Sequence, residues 1–397
     1  MSKGFEIRVV HCSDIHLSEQ LIDESTRAPH RYGHDIRAFF ALDHYLKHHE
    51  WDILVISGDL SRVGDSRSMK LARSWIRGTL QVDDLKLGLG DLLGAEKLVA
   101  TVPGNHDRFN GSLRQGSIVN YNAEFEPIGT NKTISAHIRG VDVKLHLYDS
   151  SADGSFGNGR IERTSMTPKS IGDNEINIAV LHHYILQPPG HPRRKNLEIV
   201  NSREAAAYFL SVGFDAILVG HLHHRHIDHL SGRLAASLIP GKYRPRNFFR
   251  DLKRMVSLKF EGEGLVIPER KKTQDGKFPS SEDHLRYLYL KNHGIQVRPP
   301  GDFKNSLRFH EYLQTLEPDV SLETLLKRLQ KKKVLVSMAP SACQAEAKKL
   351  GLQRLVFRGD SCAVQEIECI RADFDGLAFV EEEPDEKLRF RHRLSDA

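Results

Sequence analysis

The chain has 397 residues, of which 39% are hydrophobic and 27% charged, a composition typical of soluble globular proteins. No apolar segment reaches the roughly 18 to 20 residues that a membrane span requires. The opening stretch MSKGFEIRVV lacks the long apolar region of a signal peptide, so we expect a cytoplasmic protein. The net charge of +5 permits an anionic partner without requiring one.

The length accommodates one large α/β domain with a smaller module, or two domains of ordinary size. The four cysteines form neither a CxxC pair nor a dense framework, which predicts reduced and mostly buried thiols. They are Cys12, Cys343, Cys362 and Cys369.

Short runs rich in β-branched residues predict strands that alternate with helices through the first 230 residues. The predicted strands are Ile7–His11, Ile53–Ser57, Leu98–Val102, Val143–Tyr148, Ile176–Leu181 and Ala216–Val219. Apolar residues at helical spacing predict helices over Asp35–His48 and Ser66–Ile76. A third helix begins at Asn201 or Ser202 and ends before Gly213. Alternating strands and helices are typical of a layered α/β architecture.

Side chains that bind metals follow five of these predicted strands. The stretches are DIH from Asp14, GD from Gly58, GNHD from Gly104, HH from His182 and GHLH from Gly220. Because ligands bind beyond the carboxyl ends of strands in open α/β sheets, we expect these side chains to converge on one site. In extended backbone, residues two apart project to the same side, so Asp14 with His16, and His221 with His223, would each supply two ligands.

In this order, the motifs DIH, GDL, GNHD, LHH and GHLH resemble the signature of the calcineurin-like metallophosphoesterase superfamily. The resemblance covers roughly Phe5 to Arg225. It implies a four-layer α-β-β-α sandwich that holds two divalent metal ions. Histidine, carboxylate and amide ligands suit Mn²⁺, Fe²⁺ or Fe³⁺, and Zn²⁺, and do not choose among them.

The resemblance also assigns a role to each residue of the motifs. One metal ion would bind Asp14, His16, Asp59 and His223, and the second would bind Asp59, Asn105, His182 and His221. His106 would be the general acid that protonates the leaving alkoxide. Asp107 would orient either His106 or a backbone turn. The choice between His182 and His183 is open from the residues alone, and the family pattern favours His182.

Other histidines and two arginines receive simpler interpretations. We interpret His34, His44, His48, His49, His224, His226 and His229 as solvated helix or loop residues, because they lack the paired geometry. Arg108 and Arg160 are of the type that contacts phosphate, but a surface arginine is the commoner case, so neither is a candidate catalytic residue.

The implied activity is hydrolysis of a phosphodiester, such as a cyclic nucleotide, by attack of a metal-bound hydroxide. The stretch GDLSRVGDSRSMKLARSWI favours similarity to the class III cyclic-nucleotide phosphodiesterase branch, although the DNA-exonuclease branch shares DxHL and GNHD. One alternative is a DNA or RNA nuclease with the same chemistry. Another is a non-catalytic binding protein on the same fold. We expect no membrane partner, and the oligomeric state is left open.

The chain after the metal-binding motifs is predicted to contain an insertion and then the strands that complete the sandwich. We place a catalytic domain at residues 1–237, a basic insertion or accessory segment at 238–332, and the completion of the sandwich or a small module at 333–397. The last strands would come from MVSLKFEGEGLVIPE at Met255 or from VLVSMAPSACQ at Val334, and the second resembles the closing strands of the family more closely. The stretch KYRPRNFFRDLKR, from Lys242, interleaves basic and aromatic residues as nucleic-acid or polyphosphate sites do, with a solvated helix face as the alternative. A capped helix is predicted over Ser321–Gln330.

Overall fold

A computed structural model describes most of the chain outside its central segment. The described residues are 5–18, 34–94, 97–109, 118–125, 131–152, 157–167, 171–172, 175–186, 199–238, 312–313, 315–344, 349–359, 361–371, 377–381 and 388–389. The stretches predicted at Met255 and at Lys242 lie outside these residues. The chain forms two compact units, residues 1–231 with 332–397 and residues 232–331. The predicted boundaries at 237 and 332 stay predictions.

The helices and strands follow one another in alternation through the first part of the chain. The α-helices are α1 (Ile36–His48), α2 (Ser66–Ile76), α3 (Asn105–Phe109), α4 (Val119–Glu124), α5 (Ser202–Val212), α6 (Leu230–Leu238) and α7 (Leu322–Lys331). The strands are β1 (Ile7–Cys12), β2 (Ile53–Ile56), β3 (Leu80–Val82), β4 (Leu85–Leu87), β5 (Leu98–Thr101), β6 (Asn131–Ile138), β7 (Val141–Tyr148), β8 (Glu175–Val180), β9 (Ala216–Val219), β10 (His226–His229), β11 (Leu335–Met338), β12 (Leu350–Arg358), β13 (Ser361–Arg371), β14 (Leu377–Glu381) and β15 (Leu388–Arg389).

Two mixed sheets carry the first compact unit. The seven-stranded sheet has the order β14-β13-β12-β1-β2-β5, with β15 paired to β13. The six-stranded sheet has the order β10-β11-β9-β8-β7-β6. Strands β1, β2 and β5 are parallel to one another, as are β7, β8, β9 and β11. The strands after Val334 complete both sheets, because β11 pairs with β9 and β12 pairs with β1.

Apolar residues from both sheets form one core between them. Val9 and Val55 of the first sheet and Val143 and Ile178 of the second are fully buried there. Helices α1 and α2 cover the other face of the seven-stranded sheet, where Trp75 packs in a second core. Helix α5 covers the six-stranded sheet, and the Phe209 ring lies 5.2 Å from that of Tyr148. The layers run α-β-β-α, which confirms the predicted fold class.

The capping residues explain where the helices begin and end. The Asp35 carboxylate accepts a hydrogen bond from the Arg37 backbone N–H, and the Asp65 carboxylate caps α2 in the same way. Helix α5 ends at Gly213, whose φ of 80° is the left-handed conformation that glycine adopts readily. The Asn201 side chain makes no capping hydrogen bond. It accepts one from the Ile161 N–H and donates another to the Ile161 carbonyl, so it joins two loops.

All four cysteines are free thiols, and Cys12, Cys343 and Cys362 are buried, which confirms the cysteine prediction. Burial raises the pKa of the Cys12 thiol to about 12. Among the described residues, no helix is long and apolar enough to cross a membrane.

Candidate metal centre

The predicted site residues lie together beyond the carboxyl ends of the parallel strands. Asp14 follows β1, Asp59 follows β2, Asn105 follows β5, His182 follows β8 and His221 follows β9. Apart from His221 and His223, the predicted ligands are buried. Parallel strands run in the same direction, so their carboxyl ends lie at one edge of a sheet. Loops from distant parts of the chain therefore meet at this edge.

One group of side chains surrounds Asp14. The Oδ1 atom of this buried carboxylate lies 3.0 Å from Nε2 of His223 and 3.8 Å from Nε2 of His16. Nε2 of His16 is also 3.8 Å from Oδ2 of Asp59. Ligand atoms of Asp14, His16 and His223 all lie within 4.8 Å of one another, which is close enough to share one metal ion.

A second group surrounds Asn105. Its Oδ1 atom lies 3.0 Å from Nε2 of His182 and 3.0 Å from Nδ1 of His221. Nε2 of His182 is 3.3 Å from Oδ2 of Asp59, so Asp59 lies beside both groups. The structure thus brings all seven predicted ligands together, and ligand atoms of Asp14, Asp59 and His182 also lie within 4.8 Å of one another across the two groups. Their roles as ligands stay a prediction.

The backbone at these residues differs from the extended conformation expected from sequence. Asp14 (φ 54°), His16 (55°), Asp59 (53°), His221 (74°) and His223 (53°) all adopt the left-handed region. This corrects the argument that residues two apart project together because the chain is extended. Non-glycine residues at positive φ are strained by about 1 to 3 kcal/mol each, and such residues cluster at functional sites.

Two glycines allow the loops to approach one another. A Cβ atom at Gly58, where φ is 95°, would lie 2.4 Å from Nδ1 of His182. A Cβ atom at Gly104 would lie 2.0 Å from Oδ1 of Asp59. Any larger residue at either position would push a predicted ligand out of place.

The hydrogen bonds of the histidines test whether these residues fit a metal ion. Nδ1 of His182 donates to the Ser57 carbonyl at 2.8 Å, and Nε2 of His221 donates to the Gly157 carbonyl at 3.2 Å. Burial and His182 lower the pKa of His221 to about 3, so its ring is neutral and its inner nitrogen, Nδ1, directs a lone pair at the Asn105 oxygen. Lone pairs facing an oxygen repel unless a cation lies between them, and metal-binding histidines commonly donate their outer N–H to a carbonyl.

His16 gives a second, independent indication of fit. Its Nε2 atom is buried and has no hydrogen-bond partner among the described residues, although it faces the carboxylates of Asp14 and Asp59. A buried polar nitrogen without a partner is rare because its desolvation is unfavourable. Two carboxylates and the imidazoles around them match the donor set of two divalent ions.

Burial and close contacts between charged groups shift the pKa values of the site residues. Burial alone would lower the pKa of His182, but Asp59 and Asp14 raise it to about 9. Burial would raise the pKa of Asp59, yet His182 and His106 hold it well below its ordinary value. Burial, together with neighbouring imidazoles, lowers the pKa of His16 and of His221 to about 3. The carboxylates therefore attract positive charge, which a bound metal ion supplies in place of a proton.

His106 lies at the edge of this centre, with its ring centroid 4.6 Å from that of His16. Its Nδ1 atom donates to the Arg62 carbonyl at 2.6 Å, which leaves Nε2 to face the site. Its backbone N–H donates to Oδ1 of Asp59 at 2.9 Å. One ring nitrogen of His106 also lies within 4.8 Å of ligand atoms of His16 and Asp59. The ring is thus placed to exchange a proton with a group bound at the centre.

Asp107 makes its hydrogen bonds to backbone and hydroxyl groups. Its carboxylate accepts from the N–H groups of Leu60, Ser61 and Gly104 and from the Ser61 hydroxyl. Burial and the charge of Asp59 raise its pKa to about 6. These contacts tie the loop after β2 to the turn before α3, and they match the backbone-turn role left open from sequence. The role of Asp107 stays a prediction.

Ser150 and Ser341 hold the site in place, and sequence analysis missed both. The Ser150 hydroxyl oxygen accepts the N–H groups of His182 and His183, so its hydrogen is left to donate to Nδ1 of His183 at 3.0 Å. The Ser341 hydroxyl donates to the Asp14 carbonyl at 2.7 Å. Neither serine lies in a spaced motif, so only tertiary structure reveals them.

Three residues that were not predicted to bind metal or substrate lie in buried or partly buried polar surroundings. His183 is fully buried beside His221, with ring centroids 4.5 Å apart. Arg108 is no surface arginine, because Nε donates to the Ser151 hydroxyl at 3.0 Å and a terminal nitrogen binds the Asp149 carboxylate. His34 is buried, with Nδ1 3.3 Å from the Ser18 hydroxyl, which corrects its interpretation as solvated.

Comparison with known proteins identifies one family. A scan against protein-family models matches residues 7–225 to Metallophos, described as calcineurin-like phosphoesterase. Among curated proteins, no sequence matches. Solved structures similar to this chain include a dimetal phosphatase from Danio rerio, with a TM-score of 0.42, 10% identity and coverage of 97% of this chain and 99% of that one. Another is the calcineurin-like phosphoesterase YfkN from Bacillus subtilis, with a TM-score of 0.33, 12% identity and coverage of 98% and 91%.

Proposed function

We propose that this chain, which belongs to the calcineurin-like phosphoesterase family of metal-dependent phosphate-ester hydrolases, acts on a phosphodiester and uses the seven converging side chains as a dinuclear metal centre. The observation that carries the proposal is the pairing of two buried carboxylates with imidazoles whose outer nitrogens donate to carbonyls. Two divalent ions, when bound, supply Lewis-acid activation of a phosphate ester and of water.

The residues of the chain itself would hold and orient the reacting groups. Asp14, His16 and His223 would hold one ion, Asn105, His182 and His221 the other, and Asp59 would contact both. The carboxylates are buried, so their charges act in a site with little competing water. Ser57, Gly157 and Arg62 provide the carbonyls that fix the three imidazoles in the required tautomer.

His106 is the general acid of the proposed reaction. The Arg62 carbonyl accepts the Nδ1 proton, so the proton that a general acid transfers would be carried on Nε2, on the side of the ring that faces the centre. Transfer of this proton to the leaving oxygen would contribute about 10²- to 10⁴-fold to the rate. The contribution is largest for alkoxide leaving groups, because these are poor without a proton.

Hydrolysis of bis-p-nitrophenyl phosphate tests the proposal. The chelated, metal-free protein is assayed after addition of Mn²⁺, Fe²⁺, Zn²⁺ or buffer alone. Asp59→Asn should remove activity, because Asp59 lies beside both groups of ligands. Asp142→Asn is the matched control, since this exposed carboxylate pairs with the exposed His137. Metal-restored hydrolysis in the wild type and in Asp142→Asn, absent from Asp59→Asn, is expected; full activity in Asp59→Asn contradicts the proposal.

The choice of natural diester is a second step of the same experiment. A small diester such as a cyclic nucleotide is our leading substrate class, and a nucleic acid is the alternative. Nucleic-acid binding releases counterions, so its affinity falls steeply with salt. Each substrate is assayed at about 50 mM and about 200 mM salt. Hydrolysis of cyclic nucleotides at nearly the same rate in both supports a small diester as the substrate. Hydrolysis of single-stranded DNA that falls steeply at the higher salt concentration supports a nuclease.

A further inference from the structure

Helix α1 presents two imidazoles side by side on its exposed face. His44 and His48 are four residues apart and therefore lie one above the other on the helix. Both side chains are exposed, and their rings stack with centroids 3.9 Å apart and planes inclined by 27°. The opposite face of the helix, with Phe39, Leu42 and Leu46, is buried in the core. The pair plays no part in the candidate metal centre.

The hydrogen bonding of His48 shows which of its nitrogens is available. Nδ1 of His48 lies 2.7 Å from the His44 carbonyl oxygen, which only accepts, so Nδ1 carries the hydrogen. The neutral ring then holds its lone pair at Nε2. The third histidine, His49, belongs to a different face, because its ring stacks on Tyr45 and its Nδ1 donates to the Tyr45 carbonyl.

The surroundings of the pair disfavour a proton on His44 and tolerate a metal cation. Burial, His48 and His49 lower the pKa of His44, so this ring competes less strongly for a proton. The nearby Lys47 ammonium also opposes a cation, but the Asp43 carboxylate neutralises it at 2.6 Å. Helix α1 ends at His48, and a C-terminal helix end favours positive charge through its exposed carbonyls.

We propose that His44 and His48 form a second, surface metal site that chelates one borderline divalent ion such as Cu²⁺, Ni²⁺ or Zn²⁺. Two histidines at positions i and i+4 of a helix bind a metal through one face, as they do in helical zinc motifs. Imidazole nitrogens prefer these ions, in the order Cu²⁺ above Ni²⁺ and Zn²⁺, over Mn²⁺ or Mg²⁺. Water molecules would fill the remaining coordination positions.

Nickel binding to the untagged chain of 397 residues tests the site. The protein is first equilibrated with Mn²⁺ and then dialysed against Ni²⁺, and bound nickel is counted per chain. The His44→Gln/His48→Gln double variant keeps polar side chains of similar size on an exposed face. His137→Gln is the matched control, because this imidazole is exposed and has no histidine partner on its strand. Circular dichroism verifies that the helices remain folded.

We expect the wild type and His137→Gln to bind one more Ni²⁺ per chain than the double variant. The same difference should persist in an Asp59→Asn background, where the main centre is disrupted. Each single variant should lose this additional ion as completely as the double variant does, because a chelate needs both rings. Equal nickel in wild type and double variant would overturn the proposal, as would single variants that each lose only half of the additional binding.

Discussion

Replacing Gly58 with alanine tests how the loop after β2 positions His182. The added Cβ would lie 2.4 Å from Nδ1 of His182, so the ring must withdraw by about 1 Å to reach the 3.4 Å of ordinary contact. That displacement also disturbs its hydrogen bond to the Ser57 carbonyl. Loss of such a supporting contact weakens metal binding by about 10- to 100-fold. The φ of 95° would additionally destabilise the fold by about 1 to 3 kcal/mol.

Gly140→Ala separates the two effects, because Gly140 has a φ of 82° and nothing within 4 Å of an added Cβ. Both variants should lose stability in urea unfolding, and Gly58→Ala should lose more because its Cβ also meets the buried His182 ring. Only Gly58→Ala should also require a higher Mn²⁺ concentration for half-maximal hydrolysis, by about 10- to 100-fold. If Gly58→Ala and Gly140→Ala bind Mn²⁺ with the same affinity, His182 is not a ligand held by this loop.

Two further predictions concern histidines with different roles. His106→Gln should retain both metal ions and lose about 10²- to 10⁴-fold in turnover on diesters with alkoxide leaving groups, with a smaller loss on p-nitrophenyl esters; equal losses on both substrates would exclude a general acid. His11 is buried, with Nε2 2.8 Å from the Ser57 hydroxyl, and burial lowers its pKa to about 3 although Asp14 and Gln353 oppose the shift. In the unfolded chain the pKa of histidine is about 6.5, so the unfolded chain binds a proton more readily than the folded chain does. The stability that His11 contributes is therefore present above a pH of about 6.5 and is lost as the pH falls towards 3. Between pH 7.5 and 5.5 the loss is about 1.4 kcal/mol, and His11→Asn should lose that much less in urea unfolding of the metal-free protein. An identical pH dependence in both chains would show that the pKa of His11 is the same in the folded and unfolded states.

Periodicity and motif order predict much of the first compact unit. Helix α2 begins at Ser66 and ends at Ile76 as predicted, and β9 has the predicted bounds. The motif residues converge because all of them follow parallel strands, and this follows from the α/β architecture alone. Strands β3, β4 and β6 were not predicted, since their exposed positions weaken the apolar pattern that predicts a strand.

What sequence could not give is the detail of how the site is held. Aspartate and histidine adopt the left-handed region more often than most residues, but this weak preference does not specify the positive φ of Asp14 and His221. The Arg62 carbonyl that orients His106 is a backbone atom and leaves no trace in residue type. Ser341 reaches Asp14 across 327 positions of sequence. The expected cytoplasmic location and the roles of the individual ligands stay predictions.

The number of metal ions bound per chain tests the dinuclear centre most directly. Metal-free protein is dialysed against Mn²⁺, and bound manganese is counted for the wild type, His223→Ala, His182→Ala and Asp59→Asn. These residues belong respectively to the group around Asp14, to the group around Asn105 and to both. We predict two ions in the wild type, one in each histidine variant and fewer than one in Asp59→Asn. Two ions in Asp59→Asn, or no more than one in the wild type, would contradict a centre built from these seven side chains.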